Sequence, residues 1–153
     1  MTETPTIRRV SSRSDEALAA LRAYVAEMVE RSVWAGKPEA VEDVDDFLPP
    51  SGGFIVALIQ GDVVGCGAVR TLDPGIGELK RMWVSPERRR QGIGTALLHS
   101  LEQLSIELGH ERLRLDSNQE LSEAIALYVR EGFMPTDRYN DADNATHFFE
   151  KAL

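Results

Sequence analysis

Between Asp15 and Arg31 the apolar residues Leu18, Leu21, Val25 and Met28 recur three or four positions apart, the spacing that lines one face of an α-helix. Ser14, just ahead of them, suits an N-cap, and Asp15 and Glu16 suit the positive end of the helix dipole. A short strand over Thr6–Val10 precedes this helix. Pro38 and the acidic residues after it predict a second short helix, which Pro49 and Pro50 must end because proline lacks the N–H that a helix needs.

From Phe54 onward the pattern changes. Phe54–Ile59 and Val63–Val69 are β-rich runs on either side of Gln60-Gly61-Asp62, a hairpin signal that predicts an antiparallel pair. Past the turn residues Asp73, Pro74 and Gly75, Glu78–Val84 predicts a third strand of this group, closed by Ser85-Pro86, although Lys80 and Arg81 interrupt its alternation. Gly92 to Leu108 carries the clearest helical stripe, Ile93, Leu97, Leu101, Leu104 and Leu108, with Gly109 as its stop. Arg112–Asp116 alternates as a strand should. Ser117 with Glu120 three positions later predicts a capping box for a helix running to about Glu131, ended by Gly132. Phe133-Met134 and Thr146–Glu150 predict the last β segments, separated by a polar loop over Asp137–Asn144. Together these elements predict a mixed α/β (α+β) fold: a largely antiparallel central sheet of six to seven strands flanked by about four helices, two early and two late.

Composition narrows the classes of function. The chain has 153 residues, which suits one domain over 1–153, and its 42% hydrophobic and 27% charged residues are ordinary for a globular protein. No apolar run approaches the roughly 20 residues that cross a bilayer, so a cytoplasmic protein without a membrane partner is expected. Cys66 is the only cysteine, which excludes an internal disulfide and a cysteine-based metal site; no metal is expected. Cys66 lies between Gly65 and Gly67 and reads as a small buried residue. A net charge of −8 excludes a chain that coats nucleic acid, since neutralising phosphates needs a cationic face.

That charge is unevenly spread. Lys80, Arg81, Arg88, Arg89 and Arg90 crowd one region, whereas Glu39, Glu42, Asp43, Asp45 and Asp46 crowd another. The basic group runs into Arg89-Arg90-Gln91-Gly92-Ile93-Gly94-Thr95, between a predicted strand and the leucine-striped helix. A helix start offers N–H groups without helical partners and a positive dipole end, and glycines let an anion come close, so this segment suits a phosphate. The Gly-Lys-Ser/Thr ending of one well-known phosphate loop is absent, as is the third glycine of the dinucleotide fingerprint.

The segment Arg89-x-x-Gly92-x-Gly94, with Met82-Trp83-Val84 before it and the leucine helix after it, resembles the acyl-CoA-binding signature of the GNAT family of N-acetyltransferases. Asp116-Ser117-Asn118, Ala124–Tyr128 with Glu131-Gly132-Phe133, and the closing Phe148-Phe149-Glu150-Lys151 are similar to later motifs of that family. The resemblance implies an acyl-CoA N-acyltransferase fold in which the strands ending at Val84 and Asp116 splay apart to admit the pantetheine arm. It implies acetyl-CoA as cosubstrate. Backbone groups of Met82 and Val84, flanking Trp83, would hold the thioester and pantetheine, the backbone of Arg90, Gln91, Gly92, Ile93, Gly94 and Thr95 the pyrophosphate, to which Arg88, Arg89 and Arg90 can add charge-assisted contacts, and the Asn118 side chain the pantetheine region.

Acetyl transfer to an amine needs an amine freed of its proton, a donor to the oxyanion and a proton for the departing thiolate. By the same resemblance these fall to Glu78 as general base acting through water, the Met82 N–H, and Tyr128 as general acid. Each has a plainer reading: Glu78 as a solvated strand carboxylate, Tyr128 as a packed helix residue, Asn118 as a helix cap. His99, His110 and His147 are not assigned catalytic roles. Tyr24, Trp34, Glu39–Asp46 and Tyr139–Asp143 lie where the family resemblance places the acceptor, so the expected acceptor is a primary amine of a small molecule or peptide, drawn by carboxylates. A homodimer is compatible with the resemblance alone. The alternative function is a non-catalytic acyl-CoA-binding or sensing module, which would keep Gly92 and Gly94 without needing Glu78 or Tyr128.

Overall fold

The computed structural model describes residues 3–34 and 44–153. Its strands are β1 (Thr6–Val10), β2 (Gly52–Ile59), β3 (Asp62–Asp73), β4 (Ile76–Val84), β5 (Arg112–Ser117), β6 (Met134–Pro135) and β7 (His147–Ala152). The α-helices are α1 (Asp15–Glu30), α2 (Ile93–Glu107) and α3 (Ser122–Arg130). All seven strands form one sheet in the order β1-β2-β3-β4-β5-β7-β6, antiparallel at every junction except β4 with β5. No helix among the described residues is long and apolar enough to cross a membrane.

Three α-helices rather than about four are found among the described residues. The helix expected from Pro38 falls largely on residues 35–43, outside the described residues, and only a short 3-10 turn at Val44–Phe47 follows. The N-terminal signals of α1 hold: the Ser14 hydroxyl accepts the Ala17 N–H at 3.2 Å. The capping box at Ser117 does not form. Ser117 stays in β5, paired with His147, because six consecutive pairs with β7 hold that strand extended. Thr146 Oγ1 and Asn118 Oδ1 instead accept the N–H groups of Gln119 and Glu120, and α3 starts five residues beyond Ser117 without a side-chain cap.

Strand β2 is buried on both faces, which explains its unbroken apolar run. Phe54 and Val56 pack with Ala17, Leu21 and Cys66 on the α1 side, and Ile55, Ala57 and Ile59 pack with Leu97, Leu98 and Leu101 on the α2 side. The period of two thus divides the strand between two cores. Complete burial of each such leucine contributes about 1.5–3 kcal/mol, so the stripe of α2 fixes that helix and its N-terminus against the sheet.

Candidate active site

The parallel junction is short. Ile76, Gly77 and Glu78 pair with Arg112, Leu113 and Arg114, yet β4 continues to Val84 and β5 to Ser117 without further pairing. A bulge lies in the unpaired half: Cys66 faces Trp83 and Ala68 faces Lys80, leaving Gly67 opposite both Arg81 and Met82. Arg81 has φ +59°, a left-handed conformation costing roughly 1–2 kcal/mol in a residue with a Cβ. This extra residue is the physical source of the broken alternation at Lys80 and Arg81. A Cβ on Gly67 would stand 2.6 Å from Leu101 Cδ1 and 2.9 Å from Met82 Sδ, so only glycine lets Met82 tuck beneath the strand there.

The splayed ends of β4 and β5 open into a cleft of about 500 Å³. Its walls are the end of β4, the segment from Arg88 into α2, the inner face of α3, and Glu27, Met28 and Arg31 from the end of α1. Gly92, with φ +82°, is the N-cap of α2, a conformation that glycine takes without strain. The helical ladder begins with Ala96 N–H donating to Gly92 O at 3.1 Å, so the amides of Ile93, Gly94 and Thr95 precede it, the arrangement that suits an anion. Gly94 serves a different end. Its Cβ would stand 3.1 Å from Leu127 Cδ2 and 3.8 Å from Val84 Cγ2, so the missing side chain keeps the passage between α2 and α3 open.

Five arginines and two glutamates line the cleft among the described residues, a cationic wall in a chain whose net charge is −8. Arg31, Glu27, Glu123 and Arg130 had no signal in the sequence, since they come from the ends of α1 and α3. Arg89 ion-pairs with Glu27, whose carboxylate also accepts the Trp83 indole N–H at 3.1 Å. Arg130 reaches Thr95 Oγ1 at 3.4 Å.

A second cavity of about 120 Å³ shares Met82, Leu121, Ala124 and Tyr128 with the cleft, so these residues form its junction. Tyr24 and Trp34 stand in its wall with their rings edge to face at 5.5 Å, and Ala142 and Asn144 bring in the loop before β7. Tyr128 is only 6% exposed and packs edge-on against Phe133 at 5.8 Å. Burial raises its pKa, and the neighbouring Tyr24 and Asp116 charges add to that, so the hydroxyl keeps its proton throughout the neutral range.

Structure separates the expected site residues into groups. Met82, Trp83, Val84, Arg89, Arg90, Gly92, Gly94, Thr95 and Tyr128 all line the cleft. Ile93 lines it too, but its side chain belongs to the core. Gln91 turns away and donates to Glu87 O at 3.5 Å. Asn118 is not among the residues lining the cleft; its amide donates to Asn144 O at 2.6 Å and its Oδ1 closes the turn at Glu120. Glu78 is 0% exposed, lines neither cavity, and accepts from Arg70 Nε at 2.8 Å and Tyr139 Oη at 2.7 Å. The solvated-carboxylate reading of Glu78 is thereby overturned, since the side chains of Arg70, Lys80, Tyr139 and Asn140 surround it. Within the expected acidic rim, residues 39–43 lie outside the described residues, while Asp45 pairs with Arg13 and Asp46 with Arg70. Cys66 is buried as expected, and burial raises its thiol pKa.

Comparison with known proteins accords with this geometry. The model of the acetyltransferase (GNAT) family matches residues 19–133. An IAA acetyltransferase of Azospirillum brasilense is 35% identical over 114 residues, covering 72% of this chain and 74% of that protein. The crystal structure of a proposed acyl-CoA N-acyltransferase from Klebsiella pneumoniae superimposes with a TM-score of 0.83 at 28% identity, covering 98% of each chain. The fold is shared as well with PaiA N-acetyltransferase of Thermoplasma acidophilum, solved in complex with coenzyme A, at a TM-score of 0.76 and 18% identity, covering 98% of this chain and 99% of that one. A helix N-terminus in the wall of the cleft, a broken parallel pair opening it, and a family match spanning both of them converge: the chain belongs to the acetyltransferase (GNAT) family.

Proposed function

We propose that the protein moves an acetyl group from acetyl-CoA directly to the primary amine of a small molecule or peptide. The observation that carries this reading is the junction of the two cavities at Met82 and Tyr128, where a donor from one side and an amine from the other would meet. The fit to the cosubstrate rests on the cleft itself. Amides at the start of α2 suit a pyrophosphate, Arg88, Arg89, Arg90 and Arg130 surround them, and the unpaired edge of β4 offers Met82 and Val84 to an extended amide-bearing arm as a strand would.

At the junction, the Met82 N–H donates to the oxygen that becomes negative as the amine adds to the thioester carbonyl. Tyr128 gives its proton to the sulfur as the C–S bond breaks. Buried and protonated, it is a donor rather than a base at neutral pH. Apolar neighbours such as Leu121, Ala124 and Leu127 exclude water that would otherwise hydrolyse the thioester.

Release of free coenzyme A thiol, measured with acetyl-CoA and a panel of polyamines, aminoglycosides, amino acids, arylalkylamines and peptides, tests the proposal. Thiol release dependent on one amine class supports it. Saturable binding of acetyl-CoA with no release above the amine-free rate would instead favour the non-catalytic binding module.

A further inference from the structure

Among the described residues, Asp116 is the carboxylate that lines the second cavity. It stands at the end of β5 with its side chain 17% exposed, whereas Glu78 is sealed behind it. Lys80 lies between them, with Nζ 3.5 Å from Asp116 Oδ2 and 3.7 Å from Glu78 Oε2. Asn140 from the loop before β7 also bridges them, its Nδ2 2.7 Å from Asp116 Oδ2 and 3.4 Å from Glu78 Oε2. Both contacts to Asp116 from these described residues end on Oδ2. A carboxylate has about four acceptor sites, so this arrangement fixes the group in orientation while Oδ1 retains capacity for a charged donor.

The remaining wall combines the aromatic and apolar side chains of Tyr24, Trp34, Leu79, Leu115 and the junction residues with Ser117, Asn144 and the cationic Lys80. Arg81 belongs to it as well, stacked over the Trp34 ring at 5.5 Å and hydrogen-bonded to Tyr24. A long polycation would leave its second charge against this wall, where burial of an unpaired charge is unfavourable. A compact amine would not.

We propose that Asp116 receives the acceptor's ammonium group and accepts its first proton, and that the acceptor is a compact primary amine with an apolar or aromatic body. This rests on the acetyl-transfer reading of the same site. The ammonium passes one proton to Asp116, which releases it to solvent. The neutral nitrogen then forms the C–N bond, and the C–S bond breaks as the tetrahedral adduct collapses. Tyr128 protonates the departing sulfur, and its phenolate recovers the second proton from the nitrogen. The products are the amide, coenzyme A thiol and one proton. Glu78 is a positioning residue in this scheme, holding Lys80 and, with Arg70 and Tyr139, the floor beneath it.

The test uses Asp116→Asn and Asp116→Glu with 2-phenylethylamine, butylamine and spermine as probes. Asp116→Asn should lower kcat/KM for the two compact amines by about 10²-fold or more. It should also weaken calorimetric binding of 2-phenylethylamine to the coenzyme A complex at least about tenfold, a loss of ~1.4 kcal/mol. Acetyl-CoA affinity should change less than about twofold, and Asp116→Glu should recover part of the amine binding, a rescue that a merely structural role would not give. Turnover and amine binding by Asp116→Asn equal to the unaltered protein overturn the proposal while leaving acetyl transfer standing. Preference of the unaltered protein for spermine over both compact amines overturns the substrate class. No thiol release by the unaltered protein with any amine overturns the acetyl-transfer reading, and this proposal with it.

Discussion

Arg31, just past the end of α1, grips Glu123 in the first turn of α3: its Nη1 pairs with Oε1, and its Nη2 lies 3.2 Å from Oε2 while also donating to Glu120 O. Both residues line the cleft, so the pair ties the ends of α1 and α3 together in its wall. The hydrogen bond from Arg31 is the first cause of a lowered Glu123 pKa. A depressed carboxylate pKa contributes stability above the unfolded value near ~4.3, and that contribution is lost as pH falls through the folded pKa. Glu123→Gln should therefore lower the melting temperature at pH 7, by the equivalent of at most about 1 kcal/mol for so exposed a pair. The difference between the two proteins should vanish in acid. A difference that persists unchanged to pH 3 would show that the pair does not contribute through charge.

Gly94 is where cleft and helix packing compete for the same space. Valine there would press on Leu127 and fill the passage to the α2 amides. Acetyl-CoA should bind Gly94→Val at least about tenfold more weakly, ~1.4 kcal/mol, with the melting temperature lowered only modestly because Leu127 is partly exposed and can move. Titration calorimetry checks this, and unchanged affinity would remove the helix start from the pyrophosphate assignment.

For Tyr128→Phe the two roles of the ring and the hydroxyl separate. Phenylalanine keeps the edge contact to Phe133 and the tilted contact to Phe149, so stability should hardly change. Without the donor, kcat should fall about 10²-fold while acetyl-CoA affinity stays within about twofold. Equal kcat in the two proteins would return Tyr128 to a packing role.

His110 sits in a different kind of site, buried between Thr71 Oγ1 at 2.8 Å and Ser105 Oγ at 2.9 Å, and burial lowers its pKa. A histidine held neutral contributes stability above the unfolded pKa near ~6.5, and the contribution is lost as pH falls toward the folded value. The melting temperature should fall between pH 7 and pH 5, and His110→Gln should lack that increment. Gly77→Ala offers a second check, because its Cβ would collide with the His110 ring. It should cost about 1–3 kcal/mol in denaturant unfolding.

Much of the fold was legible locally. Strands β1 to β5 and helices α1 and α2 follow from period and punctuation, since each buries a continuous face and ends at residues that cannot extend it, such as Gly109 with φ +91°. The start of α3 was not legible. Ser117 and Glu120 have capping-box spacing, but pairing with His147 in β7, thirty residues away, keeps Ser117 in the sheet. The acceptor side was least legible, because an acidic residue reads alike whether it is solvated, paired as Asp46 is with Arg70, or aimed into a cavity as Asp116 is.

By itself the sequence determined the order of elements and the glycine- and arginine-rich helix start at Arg89–Thr95, since glycine φ freedom, helix polarity and arginine charge are properties of neighbouring residues. Only tertiary structure decided which carboxylate lines the second cavity. Glu78 and Asp116 lie on different strands, and whether each is sealed or exposed depends on where β4 and β5 part, on Lys80 and Asn140 bridging them, and on Tyr139 folding inward from the last loop. Those contacts join positions up to about sixty residues apart, and burial set by such contacts has no local pattern to read.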